Sequence, residues 1–179
     1  VAAPNFEAPT DAGANNVYDV TVQVSDGAGG TDTQAIAVTV TNVNEAPLIT
    51  SNGGGATAAV SVAENQTVVT TVASSDVDGG AAVYSIAGGA DAALFTINAS
   101  TGALTFVAAP NFEAPTDSGS NNVYDVTVQV ADGNGGTDTQ ALAVTVTHVN
   151  EAPLITSDGG GATAAVSVAE NQTVVTTVT

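Results

Sequence analysis

The sequence contains no Lys, no Arg, no Cys, no Met and no Trp. Without a cationic side chain it cannot neutralise phosphates, which excludes nucleic acid as a partner and disfavours an anionic membrane surface. Without Cys it has neither disulfide staples nor a thiol nucleophile. It has three Tyr and four Phe, so it offers little of the exposed aromatic surface that sugar-binding sites use. A single His leaves little material for acid–base chemistry. No apolar run reaches transmembrane length, so no membrane insertion is expected in this segment. A paired-carboxylate hydrolase is the one catalytic class the residues permit. The acidic residues recur from copy to copy, which suits architecture better than an active site, and the expectation is that the chain is not an enzyme.

What is present is acid. Eighteen Asp and Glu give 179 residues a formal net charge of −18. Charge this one-sided speaks to partners, not to fold. The natural partners are cations, Ca²⁺ above all, which prefers carboxylate and carbonyl oxygens. The apolar fraction is 44%, largely in alternating runs, which argues for folded strands against disorder.

The chain repeats itself. Val1-Ala2-Ala3-Pro4-Asn5-Phe6-Glu7 returns as Val107-Ala108-Ala109-Pro110-Asn111-Phe112-Glu113, an offset of 107 − 1 = 106. Residues 1–73 align without gaps on 107–179 and differ at eight positions, among them Asn42 against His148 and Asn52 against Asp158. This period is too long for a solenoid repeat and suits one β-sandwich. The boundary falls at Asn44-Glu45-Ala46-Pro47 and its copy Asn150-Glu151-Ala152-Pro153, because Pro restricts its neighbour and lacks a ladder donor. Residues 1–47 are then the C-terminal part of one repeat, 48–153 a complete repeat, and 154–179 the N-terminal part of the next. The chain reads as a window on a longer array.

Alternation predicts strands. Tyr124, Val126, Val128 and Val130 share one face; Leu142, Val144 and Val146 share another. Asp132-Gly133-Asn134-Gly135-Gly136 between them is a hairpin connection. Further strands are expected at Ala59–Val62, Thr67–Ala73, Val83–Ala87, Leu94–Asn98 and Leu104–Val107. Seven short strands in one unit describe an all-β, immunoglobulin-like Greek-key sandwich. Tyr18, Tyr84 and Tyr124 are expected in its core or corner.

Many of the carboxylates sit in turn-rich loops or at the boundary: Asp76-Val77-Asp78-Gly79, Asp132-Gly133, Glu64-Asn65, Glu113 and Glu151. A hard cation needs six to eight oxygens, and Asp-x-Asp in a loop can aim two carboxylates at one point. Alone, Asp-x-Asp-Gly reads equally well as a solvated turn. His148 reads as a partly exposed linker side chain, since Asn42 replaces it in the sister copy. Asn65, Asn98 and Asn171 fit the glycosylation sequon, a short pattern frequent by chance in a Thr-rich chain.

The ordered series Glu64-Asn65, Asp76-Val77-Asp78-Gly79, Leu94-Phe95 through Thr101-Gly102, Asn111-Phe112-Glu113, Asp132-Gly133 and Asn150-Glu151-Ala152-Pro153 resembles the cadherin repeat across the whole unit. It is most similar to the bacterial cadherin-like tandem repeats of giant secreted adhesins and extracellular filament proteins. The resemblance implies calcium at the junctions between successive repeats. At the junction around Pro47 it implies Glu7 with Asn5 from the preceding repeat, Asn44 and Glu45 from the linker, and Asp76, Asp78 and Asp132 from the following one. At the junction around Pro153 it implies Glu64, Asn111, Glu113, Asn150 and Glu151. Asn42 and His148 stand where the family carries an Asp, and Asn5 begins what is an Asp-x-Glu motif in the family. Each departure removes a charged ligand, so one or two ions per junction are expected.

The resemblance implies a structural spacer, stiffened by calcium, in an adhesin or filament at the bacterial cell surface or outside the cell, with a role in cell adhesion or biofilm. Its partners would be neighbouring repeats, with homo-oligomeric filament packing open. The alternative is a homophilic or glycan-binding adhesion module.

Overall fold

The computed structural model describes residues 2–179, which divide into two units, one ending at residue 147 and the other spanning 148–179. In the first unit, β1 (Val17–Ser25) and β2 (Thr31–Thr39) form an antiparallel hairpin. Nine strands follow: β3 (Leu48–Ile49), β4 (Thr57–Ala63), β5 (Val68–Thr71), β6 (Ser74–Ser75), β7 (Val83–Gly88), β8 (Phe95–Ile97), β9 (Ala103–Phe106), β10 (Val123–Ala131) and β11 (Thr137–Thr147). Each of the seven longer ones overlaps a segment where a strand is expected. The two-residue pair β3 and β6 is additional, too short to leave a periodic signal.

One sheet runs β4-β11-β10-β7 and the facing one β5-β9-β8. All pairings are antiparallel except β4 with β11, where the first long strand of the repeat lies parallel to the last. The strands are built from Val, Thr and Ala, whose branched or small side chains suit a half-buried pleat. Every second residue of β10 (Tyr124, Val126, Val128, Val130) is buried and meets Phe95, Leu104 and Phe106 from the other sheet. Phe95 and Phe106 stack at 4.6 Å, and Tyr124 stands edge-on to Phe106 at 5.2 Å. The Tyr124 hydroxyl accepts from the Thr116 amide at 3.2 Å, holding the β9–β10 loop against the core.

Gly102 closes the turn between β8 and β9 with φ +69°. A Cβ there would collide with the Val72 carbonyl oxygen, and the Val72 amide donates to the Gly102 carbonyl at 2.9 Å. Gly102→Ala combines a left-handed backbone with that collision. It should cost roughly 2 kcal/mol or more, read as a lower denaturation midpoint at unchanged slope.

β1–β2 repeats the β10–β11 register at an offset of 106, Val17↔Thr39 against Val123↔Thr145. Its inward-facing set is nevertheless open: Val20 is 48% exposed where Val126 is 1%. The difference is the facing sheet, which residues 1–47 do not supply. The second unit has no strand among its described residues and one 3-10 turn, Ser157–Gly159. It reproduces local detail of the complete repeat: Thr156 N–H donates to the Thr179 carbonyl at 2.9 Å as Thr50 does to Ala73 at 2.8 Å. Thr176 likewise donates to Asp158 as Thr70 does to Asn52. Local turn chemistry is satisfied in place, whereas strands need partners far along the chain.

Candidate metal centre

The linker around Pro47 has no regular structure, and its polar groups turn to two loops of the sandwich that follows. The first loop leaves β6. Asp76 Oδ1 accepts the Asp78 amide at 3.0 Å, and the Gly79 amide donates to the Asp76 carbonyl at 3.3 Å. This Asx turn is why Asp-x-Asp-Gly folds as it does: the first carboxylate caps the backbone and frees the second to reach outward. Asp78 Oδ1 accepts Asn42 Nδ2 at 2.8 Å, and its Oδ2 accepts the Glu45 amide at 2.7 Å. The second loop joins β10 to β11. There Asp132 Oδ1 accepts the amides of Asn134 and Gly136, and Oδ2 accepts Asn44 Nδ2 at 2.7 Å.

Glu7, Glu45 and Asp78 each place a carboxylate oxygen so that all three lie within 4.8 Å of one another. Like charges this close raise the free energy of ionisation. The Glu45 carboxyl is accordingly held above its ordinary range, by partial loss of water first and then by the charges of Glu7, Asp78 and Asp76. Asp78 goes the other way, chiefly because the Glu45 amide and the Asn42 side chain donate to it. Asp132 is lowered by the Asn44 side chain and its own loop amides. The pattern is an ionised Asp78 beside a Glu45 that holds its proton more tightly.

The set fits a hard divalent cation. Two oxygens bound to one Ca²⁺ at about 2.4 Å can be at most about 4.8 Å apart, and the three carboxylate oxygens lie within that limit of one another. No Lys or Arg exists in the chain to compensate these carboxylates. Asn44 and Asn42 now point their NH₂ groups at Asp132 and Asp78; rotating the Asn44 amide would exchange that donor for Oδ1, an oxygen ligand. Asn5 is placed differently: its Oδ1 accepts the Ala8 amide at 2.9 Å and caps its own turn, as Asn111 does for Ala114.

The residues assigned to the junction around Pro153 are described in two sets. In the first unit Glu64 is buried, with Oε2 accepting the Phe112 amide at 2.8 Å, and one of its carboxylate oxygens lies within 4.8 Å of one of Glu113. In the second unit Asn150 and Glu151 are exposed.

Two residues outside the acidic pattern position the start of the repeat. Asp138 Oδ2 accepts the Ile49 amide at 2.8 Å, and fully buried Gln140 donates to the carbonyls of Ser51 and Gly55. The signal was available: Asp138 and Gln140 are polar residues in phase with the inward series Leu142, Val144 and Val146.

The sequence profile of a family described as bacterial Ig domain matches residues 44–145. Among solved structures, mouse cadherin-23 EC22-24 superposes with a TM-score of 0.54 at 22% identity, covering 79% of this chain and 45% of that one. Protocadherin gamma B7 extracellular cadherin domains 1-4 gives 0.58 at 21%, covering 83% and 37%. Protocadherin gamma B2 extracellular cadherin domains 3-6 gives 0.53 at 24%, covering 76% and 34%. At these identities the likeness is one of fold. The chain spans less than half the length of each of these structures. A search of curated proteins gives no match.

Proposed function

This chain belongs to the bacterial Ig domain family, and we propose that it is a stretch of tandem cadherin-like repeats, bounded at 1–47, 48–153 and 154–179, that serves as a calcium-stiffened spacer outside the cell. The observation that supports it is the convergence of Glu7, Glu45 and Asp78 at a linker in a chain with no cationic side chain. Glu7 lies before the linker, Glu45 within it and Asp78 beyond it. An ion held by all three opposes bending of the linker between them. An ion that binds only the ordered junction stabilises it by mass action. Without the ion the same carboxylates repel. The spacer role is the consequence: many such joints in series give a long, semi-rigid stalk for an adhesin or filament. Thermal midpoint and hydrodynamic radius, followed through a calcium titration, test this. No change in either at millimolar calcium defeats the reading.

The pH dependence has a defined sign. In the ion-free protein, Glu45 binds its proton more tightly folded than unfolded. Its contribution to stability is therefore present at low pH and lost as pH rises through its folded pKa. Asp78 and Asp132 are depressed, so theirs is present above the unfolded value and lost as pH falls through the folded one. Protons compete with calcium for the same oxygens. Calorimetric titration should show affinity weakening as pH falls, first where the raised Glu45 takes up its proton while the depressed Asp78 and Asp132 remain ionised.

A further inference from the structure

We propose that Asn134-Gly135, at the tip of the β10–β11 hairpin, is a site of spontaneous covalent modification, and that the fold protects the chain's other Asn-Gly pair, Asn52-Gly53, from the same reaction. In the reaction, the backbone nitrogen of the glycine attacks Cγ of the asparagine side chain. A C–N bond forms, ammonia leaves with the side-chain nitrogen, and a five-membered succinimide results. Water then opens either carbonyl of the ring, giving Asp or isoaspartate. The net change is one water taken up and one ammonia lost, with no redox partner.

The two sites differ in what holds the reacting groups. Asn134 and Gly135 are both exposed. Among the described residues the Asn134 side-chain amide has no hydrogen-bond partner and the Gly135 amide nitrogen donates to none; the loop is held by Asp132 Oδ1, through the amides of Asn134 and Gly136 on either side. Gly135 has φ +107°, a region open to a residue without Cβ, so the nitrogen can swing toward Cγ at little steric cost. Asn52 is half-buried. Its Nδ2 donates to Gln140 Oε1 at 3.3 Å and its Oδ1 accepts Thr70 Oγ1 at 3.1 Å. Turning Cγ toward Gly53 breaks both bonds. At the usual net strength of a hydrogen bond, the two lower the freed population by roughly ten- to a hundredfold.

The hairpin site belongs to one copy only. The equivalent of Asn134 is Ala28, and Asp26 caps that loop in the same way, through Ala28 at 2.8 Å and Gly30 at 2.9 Å. Modification adds a carboxylate beside Asp132 and takes the net charge from −18 to −18 − 1 = −19. The isoaspartate product also inserts a methylene into the backbone of the loop that Asp132 caps. The inference does not depend on calcium binding.

The test is peptide mapping by mass spectrometry of the folded chain, aged at mildly alkaline pH, against the same chain aged in urea. Cleavage after Glu separates the two sites, into 46–64 with Asn52 and 114–151 with Asn134. In the folded protein the 114–151 peptide should gain about one dalton at least tenfold faster than 46–64. In urea the two rates should converge. Asn134→Ala, which reproduces the loop of the sister copy, should abolish the shift in 114–151. Equal rates in the folded protein, a faster rate at Asn52, or a rate difference that persists in urea would each overturn the proposal.

Discussion

Tyr124→Ala should destabilise the complete repeat by about 3–5 kcal/mol, and Tyr18→Ala, the same change one period earlier, by about 1 kcal/mol or less. Tyr124 is 1% exposed, and its ring closes the aromatic group with Phe95 and Phe106. Removing it opens a cavity between two sheets that cannot collapse onto each other. Tyr18 has the same neighbours in sequence and the same hydroxyl contact, Thr10 N–H at 3.2 Å. It has no facing sheet, so there is no enclosed cavity to open. Tyr124→Phe separates ring from hydroxyl and should cost only about 0.5–1.5 kcal/mol, the net worth of the Thr116 bond. Urea unfolding followed by tyrosine fluorescence or circular dichroism measures all three. Equal costs for Tyr124→Ala and Tyr18→Ala would contradict the packing described.

Asp78→Asn should remove most of the calcium-dependent rise in thermal midpoint. That rise corresponds to about 2.7 kcal/mol when calcium stands at a hundred times its Kd. The substitution keeps the shape and one acceptor oxygen, and takes away the carboxylate charge that lies beside Glu45 and Glu7. It also removes one of the two acceptors that take the Glu45 amide and the Asn42 side chain, so the variant without calcium should be somewhat less stable than the parent, and the calcium response is read as the rise above each variant's own ion-free midpoint. Asp19→Asn removes one charge from an exposed strand residue and should leave the calcium response intact. A response lost equally in both variants would mean that calcium acts on overall charge, through screening, and that no joint site exists.

The sandwich was legible because its causes are local and repeated. Alternation in Tyr124–Val130 and Leu142–Val146 marks two strands and their inner face, and Asp132 through Gly136 marks the turn between them. The period of 106 marks the repeat. The short pair β3 and β6 was not legible, because two residues carry no period. Nor was the parallel pairing of β4 with β11, which joins residues some eighty apart chiefly through backbone groups.

The acidic loops were readable as candidate ligands from composition and turn chemistry. Their roles were not. Asp76 and Asp78 look interchangeable in sequence, yet one caps its own turn while the other reaches the linker. Asn5 begins a motif that suggested a ligand, and its oxygen is used within its own turn. Such distinctions depend on which backbone amides lie within hydrogen-bond reach once the chain has folded.

The sequence by itself determined the strand periodicity, the repeat length, the absence of compensating cations and the pool of oxygen donors, because each is a property of residue type and spacing. Tertiary structure alone decided which copy of a near-identical segment is buried. β1 and β10 differ by one residue in nine, Ser25 against Ala131, and form the same hairpin with the same register. One is a core strand and the other an open face, since burial belongs to the sheet that arrives opposite and not to the strand that awaits it.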